Sequence, residues 1–406
     1  MPAPDSGLTA QTRAAVAELA RAVAALRPLA EAGCPLRTVG GWAEPGGVEP
    51  GSAELGAVDP AEVTGWVADA IGIALPVADG GGPSAGRFDA VVAGLLKPHL
   101  ESGRLAGLRA ADRPQVAAVA RQAADAGFDG LRATDAVAAD GAVLRSYAAG
   151  DPGRPAVVLA SACGMPAALC EPWLRALATD HYAVTWETRG LFGGPADDAG
   201  FDALGHGLDA QATDLLTVMD RHKLPTAHVM GLCGGAVIAV RAAAEQPERI
   251  SSLSLWHGDF SGSPGPTTGH QDNLKALMAM AAGSRGDAAA INAALAQTAM
   301  SAVPPDVAHL VGYPYASAEL FYRYCLLTGA TMTTDVSAAL RRVRQPTLLV
   351  TSEDDHTAHP GGTHRAATLL PDAVLRVEPH GDHISVFGAG PRLQRILTDF
   401  LGGPDD

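Results

Sequence analysis

The sequence predicts an α/β protein: a mostly parallel sheet covered by helices on both faces, with a helical lid and an N-terminal helical extension. Three observations carry this. From Leu131 onward, short apolar runs alternate with stretches of helical periodicity, the grammar of strands joined by crossover helices. Before that point the chain reads as helices and loops. Between about 260 and 340 the strand signal lapses, then returns for two last strands.

Taken in order, Leu8, Val16, Leu19, Val23, Leu26 and Leu29 fall near helical spacing and predict a helix over 8–32. A glycine- and proline-rich stretch runs from Gly33 to about Pro60. Asp59-Pro60-Ala61-Glu62 then has the form of a helix start, with Asp59 as N-cap and Pro60 in the first turn. Ala78 to Ser84 reads as a loop, and helices follow over 88–104 and 112–126. No chemical motif occurs in this helical N-terminal accessory region, 1–129.

The second region, 130–406, opens with a hairpin, Leu131–Val137 and Val143–Tyr147, turned by Asp140-Gly141. Strands are expected at Ala156–Ala160, Tyr182–Trp186, Ala227–Met230, Leu253–Trp256, Thr347–Val350 and Val374–Val377. Helices are expected at Glu171–Ala178, Gly207–His222, Gly234–Glu245 and Gly390–Leu401. The insertion at 260–340 is the expected lid over the strand ends.

Composition narrows the function class. Of 406 residues, 47% are apolar and 18% charged, which is globular rather than disordered. A net charge of -15 argues against nucleic-acid binding, which calls for a basic face. No basic n-region precedes an apolar h-region, and no run is long and apolar enough to span a membrane, so a cytoplasmic protein is expected. The five cysteines, Cys34, Cys163, Cys170, Cys233 and Cys325, are scattered and odd in number, which does not suggest a disulfide framework.

One cysteine has a context that packing does not explain. Gly231-Leu232-Cys233-Gly234-Gly235 follows an apolar strand and leads into an apolar helix. A nucleophile exposed between strand and helix needs a sharp turn, and glycines must flank it because side chains would clash with the neighbouring elements. A helix N-terminus also favours a thiolate. The bland alternative is a buried cysteine in a packing turn.

An acid and a base follow in the order this turn requires. Strand Thr347–Val350 runs into Thr351-Ser352-Glu353-Asp354-Asp355, where Asp355 is the expected acid and Asp354 the fallback. The last strand runs into Glu378-Pro379-His380-Gly381-Asp382-His383, where His383 fits the base better than His380. An oxyanion hole needs two backbone N–H groups. Gly234 supplies one and the loop Ser161–Met165 the other, with Cys163 the expected donor. His356, His359, His364, His380 and His383 cluster in sequence, but the intervening proline and glycines disfavour a zinc site, and no metal is expected. His257 and Asp259, just past a strand end, are candidates to face the pocket, with capping of the next segment the favoured role for Asp259.

With the cysteine turn, the aspartate loop and the late histidine in place, the region from about 131 to 401 resembles the α/β-hydrolase superfamily. Few members carry cysteine where serine usually stands, dienelactone hydrolases among them. A helical extension of about 130 residues before a cysteine-type domain resembles the stand-alone aminoacyltransferases of nonribosomal peptide pathways, the syringomycin and coronamic acid shuttles. That resemblance implies acyl or aminoacyl transfer between the phosphopantetheine arms of acyl or peptidyl carrier proteins, through a Cys233 thioester and with no bound cofactor.

Thioester chemistry suits this reading. Exchange of one thioester for another is nearly balanced, whereas a serine ester returns to a thiol uphill. The alternatives are a thioesterase or other hydrolase, and a member of the fold with different or no catalysis. Tyr313, Tyr315, Phe321, Tyr322 and Tyr324 lie in the expected lid, as pocket lining or as helix packing.

Overall fold

The structure, a computed structural model, describes residues 7–39, 57–78, 88–131, 133–192, 198–295 and 303–402. Two compact units emerge: Met1–Leu131 with Ala294–Ser317, and Arg132–Ala293 with Ala318–Asp406. The segment 294–317, read from sequence as part of the lid, thus groups with the N-terminal helices. Within that unit its short helix Ala308–Val311 packs on helix Asp89–Leu100, where Gly94 leaves room for Pro305.

The first unit is built on helices Ala10–Ala24, Pro60–Ile71, Asp89–Leu100 and Arg113–Asp125. The first buries Val16, Leu19, Ala20 and Val23 along one stripe. The single helix expected over 8–32 is broken, with a second short helix at Arg27–Glu31. Pro28 accounts for the break, because it lacks an N–H and its ring would meet the carbonyl of Ala24. Asp59 caps its helix as expected, accepting from the Ala61 N–H at 2.8 Å. Thr38–Val39 pairs in parallel with Val77–Ala78, two strands too short to show alternation in the sequence.

The second unit carries an eight-stranded sheet. Its strands are β1 (Thr134–Val137), β2 (Val143–Ala149), β3 (Ala156–Ala160), β4 (Tyr182–Trp186), β5 (Ala227–Leu232), β6 (Ile250–Trp256), β7 (Thr347–Ser352) and β8 (Ala373–Glu378). They lie in the order β8-β7-β6-β5-β3-β4-β2-β1. β1 and β2 are antiparallel, as are β2 and β4, and the rest are parallel. β5 and β7 are buried at every residue, as strands covered on both faces must be. β8 is an edge, and there Val374 and Val377 are exposed.

The parallel register lines up the carboxyl ends of five adjacent strands. Gly231 pairs with Ala160, Leu232 with Trp256, Trp256 with Val350, and Ser352 with Glu378. Loops leaving these ends emerge side by side, which is where open parallel sheets place their sites. Helix Gly235–Glu245 follows β5 and buries Val237, Ile238 and Val240, each contributing about 1.5–3 kcal/mol of burial. No strand occurs between β6 and β7 among the described residues. Helices Gly269–Ala281, Ala318–Thr333 and Ser337–Arg342, with most of Arg285–Leu295, fill the part of that interval belonging to this unit.

Candidate active site

Cys233 and Gly234 link the end of β5 to the helix Gly235–Glu245, and Cys233 has φ of +54°. A non-glycine residue in the left-handed region is uncommon, and here two glycines permit it. A Cβ on Gly231 would lie 2.5 Å from the Ala236 Cα, and one on Gly235 would lie 2.0 Å from the Ala160 carbonyl oxygen. The turn is pinned by hydrogen bonds from the Cys233 N–H to the Trp256 carbonyl and from the Ala236 and Asp259 N–H groups to the Cys233 carbonyl. Cys233 is half-buried, while Cys163, Cys170 and Cys325 are buried. Burial pushes the thiols of Cys163 and Cys325 up to about 12 and that of Cys170 to about 11, so none of these three is a nucleophile near neutral pH.

Asp355 is buried just past β7. Its Oδ1 accepts from the N–H groups of Thr357 and Ala358 at 3.0 and 2.9 Å. Its Oδ2 accepts from His383 Nδ1 at 3.0 Å and from His257 Nδ1 at 2.8 Å. Burial opposes ionisation of this carboxyl, but the two imidazole bonds outweigh it and hold Asp355 well below the usual carboxylate range. An ionised carboxylate only accepts, so both Nδ1 atoms carry protons.

His383 is buried, and its Nε2 has no hydrogen-bond partner. The Cys233 sulfur is close enough to act on the ring. Burial opposes protonation of His383, yet the Cys233 sulfur and the Asp355 carboxylate prevail and raise its pKa well above the ordinary histidine range. The fallback residues form a different pair: His380 is exposed and bonds Asp354 Oδ2 at 3.2 Å, away from the thiol system. The fold thus pairs Asp355 with His383 and Asp354 with His380.

The loop after β3 comes up beside the turn. A Cβ on Gly234 would lie 3.9 Å from the Cys163 backbone nitrogen and 3.5 Å from Thr331 Oγ1, so Gly234 and Cys163 are neighbours at the thiol. The loop is tied down on several sides. Thr188 Oγ1 accepts from the Gly164 N–H at 2.9 Å, and Glu187 Oε2 accepts from the Ala167 N–H at 2.7 Å. The Cys163 thiol donates to Gln211 Oε1 at 3.2 Å. Gly164 has φ of +82°, and a Cβ there would meet the Tyr324 ring at 2.3 Å, so helix Ala318–Thr333 presses on the loop. Behind it lies a cavity of about 20 Å³ bordered by Ser161, Trp186, Gln211 and Asp214, room for a water but not for an acyl group.

Of the lid aromatics, Phe321 and Tyr324 are buried within this unit, whereas Tyr313 and Tyr315 belong to the other. Tyr322 carries the Arg285 guanidinium over its ring at 4.6 Å. Asp259 caps, accepting on Oδ1 from the Ser261 N–H and from Gln271 Nε2. His257, a pocket candidate from its position just past a strand end, is bonded to Asp355, a contact that sequence reasoning missed.

Of the five clustered histidines, His359 caps helix Pro360–Leu369 by accepting from the Gly361 N–H. Among the described residues, the one group spaced to hold an ion is His257, Asp355 and His383, with donor atoms within 4.8 Å of one another. Both histidines direct Nδ1 at the same Asp355 oxygen, at hydrogen-bonding distance. No helix among the described residues is long and apolar enough to cross a membrane.

No family model matches the chain. It is 27% identical over 252 residues to a protein named "Putative carbamate hydrolase RutD" from Variovorax paradoxus, covering 61% of this chain and 91% of that one. A protein of the same name from Pseudomonas savastanoi is 27% identical over 250 residues, 61% of this chain and 93% of its own length. Among solved structures, an enol-lactonase from Burkholderia xenovorans superposes with a TM-score of 0.54 at 19% identity, covering 66% of this chain and all of that one (100%). A hydrolase from Pseudomonas aeruginosa gives 0.52 at 21% identity, with 67% and 99% covered. The second unit has the α/β-hydrolase fold.

Proposed function

We propose that this chain is an acyl-processing enzyme of the hydrolase class in which Cys233 is the nucleophile. The observation that carries it is a half-buried thiol on a left-handed turn, beside an imidazole whose far nitrogen is bound to a buried carboxylate. In this reading the Cys233 sulfur attacks the carbonyl carbon of an ester or thioester, and His383 Nε2 holds the thiol proton. The electron pair of the C=O bond moves to oxygen, where the N–H groups of Gly234 and Cys163 stabilise it. Collapse expels the leaving group, which takes the proton from His383, and an acyl-Cys233 thioester remains. Asp355 orients His383 and supports its positive charge.

Release of the acyl group to water is the outcome that likeness to the RutD proteins favours. His383 then takes a proton from water, hydroxide adds to the thioester carbonyl, and free acid leaves as the thiol is reprotonated. Incubation with an acyl thioester followed by intact-mass measurement tests the core of this. An acyl adduct on Cys233 that is absent from Cys233→Ala supports it; undiminished turnover by that variant overturns it.

A second reading rests on one specific observation, the thiol in place of a hydroxyl. A thioester on Cys233 is nearly equal in energy to one on a pantetheine arm, so it can be passed to another thiol as readily as it was taken. Transfer of the acyl group between carrier proteins is that reading. A labelled carrier and a second, empty carrier separate the two: label on the second carrier supports transfer, and free acid alone supports hydrolysis.

A further inference from the structure

We infer that His257 is a positioning residue for the Asp355–His383 pair, an inference that rests on the proposed role of that pair beside Cys233. His257 lies one residue past β6, and its N–H continues the ladder by donating to the Val350 carbonyl at 2.8 Å. Its backbone is left-handed, with φ of +46°, a conformation uncommon for a residue with a Cβ. That geometry sends the ring to Asp355, and Nδ1 reaches Oδ2 at 2.8 Å, shorter than the 3.0 Å bond from His383 to the same oxygen.

The consequence is a carboxylate with no freedom. Two backbone N–H groups hold Oδ1 and two imidazoles hold Oδ2, so rotation about the side chain would break all four bonds. The His257 and His383 rings also meet edge to face, with centroids 5.9 Å apart and planes at 80°. His257 therefore fixes the carboxylate oxygen that His383 must find and walls the space into which the His383 ring would otherwise swing. His257 and His383 are each at most 5% exposed, so water does not substitute for either contact from bulk. Without His257, Oδ2 keeps one donor and a void opens beside the ring.

The test separates the donor from the backbone. In His257→Asn, the side chain keeps an N–H and asparagine tolerates the left-handed region. In His257→Gly, the backbone is accommodated at no cost but the donor and the ring are gone. The readout, on the full chain, is the rate at which iodoacetamide alkylates Cys233 from about pH 5 to pH 9, mapped to the Cys233 peptide by mass spectrometry. His257→Gly is expected to alkylate about tenfold more slowly near pH 6 and to show its pH midpoint displaced upward, with His257→Asn within about twofold of the parent.

Equal behaviour of the two variants overturns the inference, because the retained N–H of His257→Asn is then without effect on Cys233. A parent profile identical to that of His383→Gln overturns the Cys233–His383 pairing itself, and this inference with it. If His257→Gly fails to fold, the donor-less, ring-bearing His257→Phe takes its place, with the same criteria.

Discussion

Gly235 and the carbonyl of Ala160 are in contact so close that a single methyl group cannot be inserted between them. The first turn of the helix after Cys233 lies directly against the end of β3, and this brings the β3 loop beside the thiol. Gly235→Ala is expected to push helix and strand apart, lowering stability by about 1–3 kcal/mol and separating Gly234 from Cys163. Urea unfolding measures the first effect. The rate of Cys233 acylation measures the second, and it should fall more than the residual fraction folded explains.

Cys233→Ser distinguishes the two fates of the acyl group. A serine ester lies below a thioester in energy, so this variant is expected to load from an acyl thioester and then stall or hydrolyse. Assayed with two carrier proteins, it should give no transfer to the second. Normal transfer by Cys233→Ser would contradict the energetic case for a thiol.

The proton held by His383 makes a stability contribution with a definite sign. Its folded-state pKa lies above the unfolded value of about 6.5, so the contribution is fully present below that pH and is lost as pH rises through the folded value. Asp355, depressed in the folded state, contributes above the unfolded carboxylate pKa and loses its contribution only at strongly acid pH. The melting temperature of the parent should therefore exceed that of His383→Gln by more at pH 6 than at pH 9.

Arg189 is 2% exposed and makes a bidentate pair with Asp214 through Nε and Nη2, while Nη1 bonds Asp140 and the Gly205 carbonyl. Burial raises the Asp214 carboxyl to about 6 despite the guanidinium beside it, a sign of how dry the pair is. Asp214→Ala leaves the guanidinium partly unpaired and is expected to cost about 3–5 kcal/mol in urea unfolding. Thr188, which holds Gly164, neighbours Arg189, so slower acylation should accompany the loss of stability.

The sheet was legible because its signals are local: apolar runs, glycines and helical spacing recur at distances of a few residues. The strands at Tyr182–Trp186 and Ala227–Met230, the second of which runs on to Leu232, were readable this way, and so was the glycine-bracketed thiol. The His257 contact was not, because a hydrogen bond from 257 to 355 depends on β6 and β7 being neighbours in register, which no local pattern encodes. The grouping of 294–317 with the first unit was hidden for a similar reason: helical periodicity shows that a face is apolar, not what covers it.

The order in which the strand-end loops appear along the chain has a consequence for synthesis. The thiol leaves the ribosome well before β7 and β8, and therefore before the aspartate and the imidazole. Until the C-terminal strands dock, the growing polypeptide carries only an ordinary sulfhydryl. If Cys233 is the nucleophile proposed above, reactivity is conferred by the completed sheet, and a chain interrupted ahead of its last strand is expected to be inert.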